Sequence, residues 1–304
     1  GELLTGITEE LSGFRRILIV AGQTGHYNEL HEVIRNFTQQ HSIPLVGDIV
    51  SNFHPLEDAV RHADNFLGDI PENIKEQLRP DLLITFGKSV LSKNLKLFLR
   101  KYSPSAHWHI DAGGSAADTF QHLTRVIPAD PYTFFSGMIR SFTKGVHTSQ
   151  KDYCNLWKRE EQRSTEIVNT FFSGGGKGEF KLVHEVMQQL PANCCLHLAN
   201  SMSVRYANFI GLAKAQSNVT VYCNRGTSGI DGCTSTAAGH ALAGVAFNIL
   251  ITGDLAFFYD RNAFWHNYPL PNLKIVLLNN HGGVIFKVID GPKELPESDE
   301  YFVT

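Results

Sequence analysis

No apolar run in the 304-residue chain is long enough to cross a membrane as a helix. A span takes roughly 18 or more such residues, and the best candidate, residues 241–258, is broken by Asn248, Thr252, Gly253 and Asp254. There is no excess of positive charge: the net charge of −3 argues against a nucleic-acid partner. The first residues are polar and mixed and carry no secretory signal. Cysteine is sparse. Cys154, Cys194, Cys195, Cys223 and Cys233 are odd in number and form no CxxC pair. Mostly buried free thiols in a reducing cytoplasm are the expectation. Two nucleotide signatures are also missing. The turn after the first apolar run, Ala21-Gly22-Gln23-Thr24-Gly25, is no GxGxxG. In Ser173-Gly174-Gly175-Gly176-Lys177-Gly178 the Lys is followed by Gly, where a P-loop requires Ser or Thr.

What remains is an ordinary globular balance, 42% hydrophobic and 19% charged, long enough for about two domains. Short β-branched runs alternate with helical patterns. Residues 15–21, 43–46, 80–86 and 105–110 read as strands, and residues 27–40, 56–67, 71–78 and 91–102 as helices. The polar, charged segment 149–170 reads as an interdomain connector, with Leu156, Ile167 and Phe171 as docking points. Beyond it, 195–199, 219–222, 249–252 and 274–278 read as strands, and 179–190, 204–214, 234–246 and 256–268 as helices. Near-continuous apolar strands joined by helices predict parallel sheets buried on both faces. The fold class is α/β, with two Rossmann-like three-layer domains, residues 1–148 and 149–304. The second lacks a strand at its C-terminal end, where the acidic tail closes on Tyr301-Phe302-Val303.

Chemistry concentrates at two strand ends. One run closes on Gly253-Asp254-Leu255, the next on Asn279-Asn280-His281-Gly282-Gly283. In a parallel unit both ends emerge at the carboxyl edge, where open α/β sheets bind ligands. A carboxylate, a carboxamide and accessible backbone carbonyls suit a hard cation such as Mg²⁺, which commonly also holds phosphates. Each feature alone is ordinary turn chemistry; their placement on successive strand ends favours a metal site. His240, His266 and His281 have no ligand partners at metal spacing and read as structural.

This pair of strand ends resembles the metal-diphosphate motif of thiamine-diphosphate enzymes. With Asn200-Ser201-Met202-Ser203-Val204-Arg205 and the loop Asn224-Arg225-Gly226-Thr227-Ser228-Gly229-Ile230-Asp231-Gly232, it is similar to the family of 2-succinyl-5-enolpyruvyl-6-hydroxy-3-cyclohexene-1-carboxylate synthases of menaquinone biosynthesis. The match is specific over residues 195–290 and weaker in the first domain, where it rests on residues 86–94. The resemblance implies a reaction that decarboxylates 2-oxoglutarate and adds the remaining unit to isochorismate. It implies thiamine diphosphate with Mg²⁺ or Mn²⁺, held by Asp254, Asn280 and the Gly282 carbonyl. Gly253 and Leu255 would line the diphosphate and Ile230 would wedge the cofactor into a bent shape. Ser201, Arg205, Arg225 and Lys93 would face the acidic substrates, and Ile285 and Phe286 would form an apolar wall. Two positions depart from the wider pattern. Leu255 stands where most thiamine-diphosphate enzymes have Gly, and Asn94 where this family has Arg. The family's catalytic Glu belongs to an N-terminal domain that nothing here matches. The chain, which opens on Gly1, is therefore read as a fragment, inactive alone, of an enzyme that works as a homodimer or homotetramer. Two alternatives stay open: another thiamine-diphosphate 2-oxoacid decarboxylase or acetolactate-type synthase, and a non-catalytic nucleotide-binding module.

Overall fold

The computed structural model describes residues 2–114, 116–143, 146–287, 291–297 and 300. The apolar tail 301–303 falls outside them. The chain divides into two compact units, residues 1–171 and 172–304.

The first unit runs α1 (Glu2–Ser12), β1 (Ile17–Ala21), α2 (Asn28–His41), β2 (Leu45–Gly47), α3 (Ala63–Leu67), α4 (Glu72–Leu78), β3 (Leu82–Phe86), α5 (Lys93–Lys101), β4 (Ala106–Ile110), β5 (Arg125–Ile127), α6 (Pro131–Ser141) and α7 (Ser149–Ser173). Its five strands are all parallel, in the order β2-β1-β3-β4-β5. Alternation along the strands builds two cores. Ile17, Ile19 and Ala21 face one layer with Ile34 and Phe37 of α2 and Phe135 of α6. Leu18 and Val20 face the other with Phe66, Leu95 and Trp157. This is the expected three-layer arrangement.

Several segments depart from the expected pattern. Residues 56–67 are helical only from Ala63, because Val60 is drawn into the sheet edge: its N–H donates to the Leu45 carbonyl and its carbonyl accepts from Gly47. Strand β5 and helices α1 and α6 lie in stretches where no element was expected. The segment expected to begin the second domain, residues 149–170, packs on the first. Gln150 inserts its amide between strands, accepting from the Ile17 N–H at 2.6 Å and donating to the Ile17 carbonyl at 3.0 Å. Trp157 is fully buried, and Tyr153 donates to the Leu78 carbonyl at 2.8 Å. Of the three expected docking points Leu156 is packed, whereas Ile167 and Phe171 are exposed. Buried Tyr153 and Trp157 together with the polar Gln150 hold this helix in place.

The second unit runs α8 (Glu179–Gln188), β6 (Cys195–Leu198), α9 (Met202–Ile210), β7 (Thr220–Tyr222), α10 (Cys233–Ala243), β8 (Asn248–Gly253), α11 (Asp254–Tyr259) and β9 (Leu273–Leu278). Its strands are parallel in the order β7-β6-β8-β9. The crossover between β8 and β9 was expected to be one helix over 256–268. It is the six-residue α11 followed by a 3₁₀ turn, Arg261–Phe264. Asp260 ends the helix by turning to α10, where its carboxylate accepts from the Ser235 N–H at 2.6 Å and from the Ser235 hydroxyl. Pro269 and Pro271 then exclude a helix up to β9. All five cysteines are free and buried. Among the described residues no helix is long and apolar enough to cross a membrane.

Helix α7 is latched to the loop before α3 by Glu161, whose carboxylate accepts from the backbone N–H groups of Arg61 and His62 and from the His62 ring at 2.8 Å. Burial pushes this carboxyl up, but the hydrogen bonds and charge of His62, with the charge of Arg61, together more than offset that and hold it below the usual range. A carboxyl depressed in the folded state stabilises above its unfolded value and loses that contribution as pH falls through its folded one. Glu161→Gln is therefore expected to lower first-unit stability at neutral pH and to flatten its acid limb. Urea unfolding followed between pH 7 and pH 3 measures this, and a parallel loss at every pH would refute it.

Candidate functional site

Strand order picks out a place. In the second sheet the chain moves from β6 to β7 on one side, then returns to β8 on the other. The connections leaving the carboxyl ends of β6 and β8 diverge, and a crevice opens between them. Register aligns the edge: Leu198 pairs with Ile251, and Gly253 with Leu278. Asn200-Ser201, Gly253-Asp254 and Asn279-Asn280 thus emerge side by side. A cavity of about 120 Å³ lies there, lined among others by Ser201, Ile230, Gly253, Asp254, Leu255, Asn280, Gly282, Ile285 and Phe286.

Asp254 opens α11 and is 6% exposed. Its Oδ1 accepts from the Leu255 N–H at 2.7 Å and its Oδ2 from the Gly282 N–H at 3.0 Å. The carboxylate thus ties the end of β8 to the turn after β9 and keeps lone pairs to spare. Asn280 donates through Nδ2 to Glu179 Oε1 at 2.9 Å, and its Oδ1 is buried with no hydrogen-bond partner among the described residues. Two non-glycine residues beside the cavity have left-handed backbone: Ser201 with φ 73° and His281 with φ 62°. Such strain persists only where the surroundings enforce it, and it clusters at functional sites. Ile230 packs on Ala199, Cys233 and Ala256 while lining the cavity.

The two arginines stand just behind this edge. Arg205 donates through Nη1 to the Ser201 carbonyl at 2.9 Å, and Arg225 through Nη1 to Asn200 Oδ1 at 2.7 Å. Lys93 is in the first unit, exposed in the first turn of α5. Its neighbour Asn94 spends its amide locally, donating to the Asp64 carbonyl at 2.7 Å.

Two residues at the site were assigned no role from the sequence. Asn200 is 1% exposed and clamps the glycine loop, with Nδ2 donating to the carbonyls of Asn224 at 2.7 Å and Gly229 at 2.6 Å. Glu179 follows the glycine run and lines the cavity from α8. Asn200 could have been singled out as a polar residue directly after a buried strand. Nothing local signals Glu179. His197, on β6, donates through Nε2 to Asn248 Oδ1 at 2.9 Å, and the same nitrogen lies 3.2 Å from Nδ1 of His240 on α10. Burial lowers His197 to about 4, so it is neutral at physiological pH.

Volume does not choose the site. A larger hollow, about 790 Å³, lies on the first unit around the ion-paired Arg16 and Asp81. The first sheet has its own switch point between β1 and β3, where the two turns bond to each other and a cavity of about 300 Å³ opens beside them over Phe86, Gly87, His107 and His109. Gly22 donates to the Phe86 carbonyl at 2.8 Å and Gln23 to the Ser89 carbonyl at 2.9 Å, and a Cβ on Gly22 would collide with the Lys88 carbonyl. The glycines there serve close packing of turns.

Comparison with known proteins gives the family. A family model described as the middle domain of thiamine pyrophosphate matches residues 10–198. A protein of Cytophaga hutchinsonii is 43% identical over 299 residues, covering 98% of this chain and 52% of its own length. One from Flavobacterium johnsoniae is 37% identical, covering 95% of this chain and 51% of its own. One from Bacteroides thetaiotaomicron is 36% identical, covering 94% and 49%. All three are named 2-succinyl-5-enolpyruvyl-6-hydroxy-3-cyclohexene-1-carboxylate synthase. The chain spans about half the length of the curated relatives it matches.

Asn200→Ala would strip the glycine loop of two donors and Arg225 of its acceptor. The expected loss is about 1–3 kcal/mol of second-unit stability, with faster amide exchange over residues 224–229. Unchanged exchange there would show that the loop is held by other means.

Proposed function

The chain belongs to the thiamine pyrophosphate enzyme family that carries this middle domain, and from that premise we propose that it forms the central and cofactor-binding parts of a 2-succinyl-5-enolpyruvyl-6-hydroxy-3-cyclohexene-1-carboxylate synthase. The complete enzyme would take 2-oxoglutarate and isochorismate and act in menaquinone biosynthesis. It would be a homodimer or homotetramer whose catalytic Glu comes from a domain this chain does not match.

The observation that carries the reading is the pairing of two groups in one cavity: the buried Asp254 carboxylate and the unpartnered Asn280 Oδ1. Both are hard oxygen donors, as Mg²⁺ or Mn²⁺ requires. Among the described residues no group of three or more His, Cys, Asp or Glu could hold a metal alone. Mg²⁺ does not need one, because it commonly binds one or two carboxylates and completes its shell with waters and phosphate oxygens. The Gly282 carbonyl would be the third protein ligand. Gly253 and Leu255, at the start of α11, would border the diphosphate.

Size supports the same division of labour. Pockets that enclose a whole drug-sized ligand run to roughly 300–1,000 Å³, and this one measures about 120 Å³. It suits the metal-diphosphate end of the cofactor, leaving the rest to be covered by other parts of the enzyme. Thiamine diphosphate supplies the ability to hold negative charge on carbon after CO₂ departs, which no side chain offers. The residues of this chain bind and orient. Ile230 would press the cofactor into its bent shape. Arg225 and Arg205, braced by Asn200 and by the Ser201 carbonyl, would receive substrate carboxylates, for which a guanidinium fork is suited. Ser201 would add a hydroxyl, and Ile285 and Phe286 an apolar wall that excludes water. For Lys93 only the resemblance speaks.

In the complete enzyme, Asp254→Ala is expected to weaken Mg²⁺-dependent cofactor binding by at least the roughly 100-fold that losing an outer-shell partner can cost. Titration calorimetry with thiamine diphosphate at several Mg²⁺ concentrations measures it, and unchanged affinity would remove the metal assignment. Arg225→Ala should leave cofactor affinity intact and cost about 2 kcal/mol or more, roughly thirty-fold in kcat/KM for the acidic substrates. Wild-type kinetics would exclude it as an anchor.

A further inference from the structure

The glycine run before α8 delivers a residue to the site. Gly178 has φ 97° and ψ −175°, a conformation open essentially to glycine alone, and it turns the chain directly into α8. Glu179 is the first residue of that helix and lines the cavity that also contains Asp254 and Asn280. An acid in a first helical turn commonly does no more than complement the helix dipole. Here its carboxylate also accepts from Asn280 Nδ2 at 2.9 Å and from the Tyr206 hydroxyl at 3.5 Å.

A carboxamide has two faces of opposite chemistry: NH₂ donates and the carbonyl accepts. An ionised carboxyl only accepts, so the face of Asn280 turned to Glu179 must be the NH₂. The amide carbonyl is then turned the other way, and it is this Oδ1 that is buried without a partner among the described residues. Were the amide reversed, a donor would point where a cation needs an acceptor. We propose that Glu179 is a positioning residue that fixes the orientation of the Asn280 amide and so presents its carbonyl oxygen to the divalent cation. This rests on the metal assignment proposed above and adds a residue to it. The logic is that of outer-shell carboxylates, which orient metal ligands without touching the metal and whose loss costs roughly 10–100-fold in affinity.

Two variants of similar shape remove the constraint in steps. Glu179→Gln keeps an acceptor for Asn280 Nδ2 but adds an NH₂ that can face a reversed amide; Glu179→Met keeps the length and removes the acceptor. The experiment measures, in the complete enzyme, the Mg²⁺ concentration that half-saturates thiamine-diphosphate binding, by calorimetry, with Asp254→Ala alongside. We expect Glu179→Met to raise that concentration roughly 10–100-fold and Glu179→Gln, which keeps an acceptor but no longer forbids the reversed amide, to raise it less. Wild-type behaviour of Glu179→Met overturns the inference. So does a Glu179→Gln defect as large as that of Glu179→Met, because the acceptor that Gln retains would then contribute nothing. If Asp254→Ala itself leaves the Mg²⁺ dependence untouched, the metal assignment fails. If Asp254→Ala abolishes it while Glu179→Met does not move it, only the role of Glu179 fails.

Discussion

The candidate site depends on in-register parallel pairing of β6, β8 and β9. Because Leu198 lies beside Ile251 and Gly253 beside Leu278, the residues just past each strand are neighbours in space though far apart in sequence. A slip of one residue would turn every side chain to the opposite face of the sheet and dismantle the set. Asp254 then locks the arrangement. Its carboxylate bridges from the end of β8 to the Gly282 N–H at 3.0 Å, so the turn after β9 is held by a group that also faces the cavity. Structure and chemistry share one side chain.

The same architecture produces opposite outcomes in the two units. Both sheets are parallel, and both have a switch point where connections diverge. In the first unit the turns after β1 and β3 hydrogen-bond to each other and Gly22 packs against the Lys88 carbonyl, and the cavity of about 300 Å³ beside them is lined by Phe86, Gly87, His107 and His109, with no paired carboxylate and carboxamide at successive strand ends. In the second, polar side chains stand at the divergent ends, and the left-handed Ser201 carries the chain away from the opening. Fold alone does not assign a site; what occupies the strand ends does.

Legibility in the sequence followed the range of the interaction. Ile17–Ala21 and Asn248–Gly253 were readable because burial on both faces of a parallel sheet leaves a continuous apolar run. Asp254 and Asn280 were readable because they directly follow such runs. Interactions between distant segments were not. Helix α7 joins the first unit through Gln150, Tyr153 and Glu161, polar groups whose partners are Ile17, Leu78 and His62. Helix α11 stops early because Asp260 bonds to Ser235. Val60 leaves its helical pattern for a place at the sheet edge. In the last two a long-range hydrogen bond ended or displaced a locally helical pattern; in α7 long-range bonds helped decide where the expected helix packs.

Glu179 is the sharpest instance. Read along the chain it is an acid after a flexible turn; in space it faces Asn280, a hundred residues on. Its value comes from a constraint on another side chain rather than from reactivity of its own. Asn200 acts in the same way on Arg225 and on the glycine loop. Both support groups that contact ligand in the proposed reading, and both do so through the fixed polarity of an amide. Asn200 uses its two donors on backbone carbonyls, so its oxygen must face the guanidinium. Asn280 uses its NH₂ on a carboxylate, so its oxygen must face the cavity. In each case one end of an amide is spent on the protein to determine what the other end presents. That is how a site assembled from turns and strand ends acquires a defined donor set before any ligand arrives.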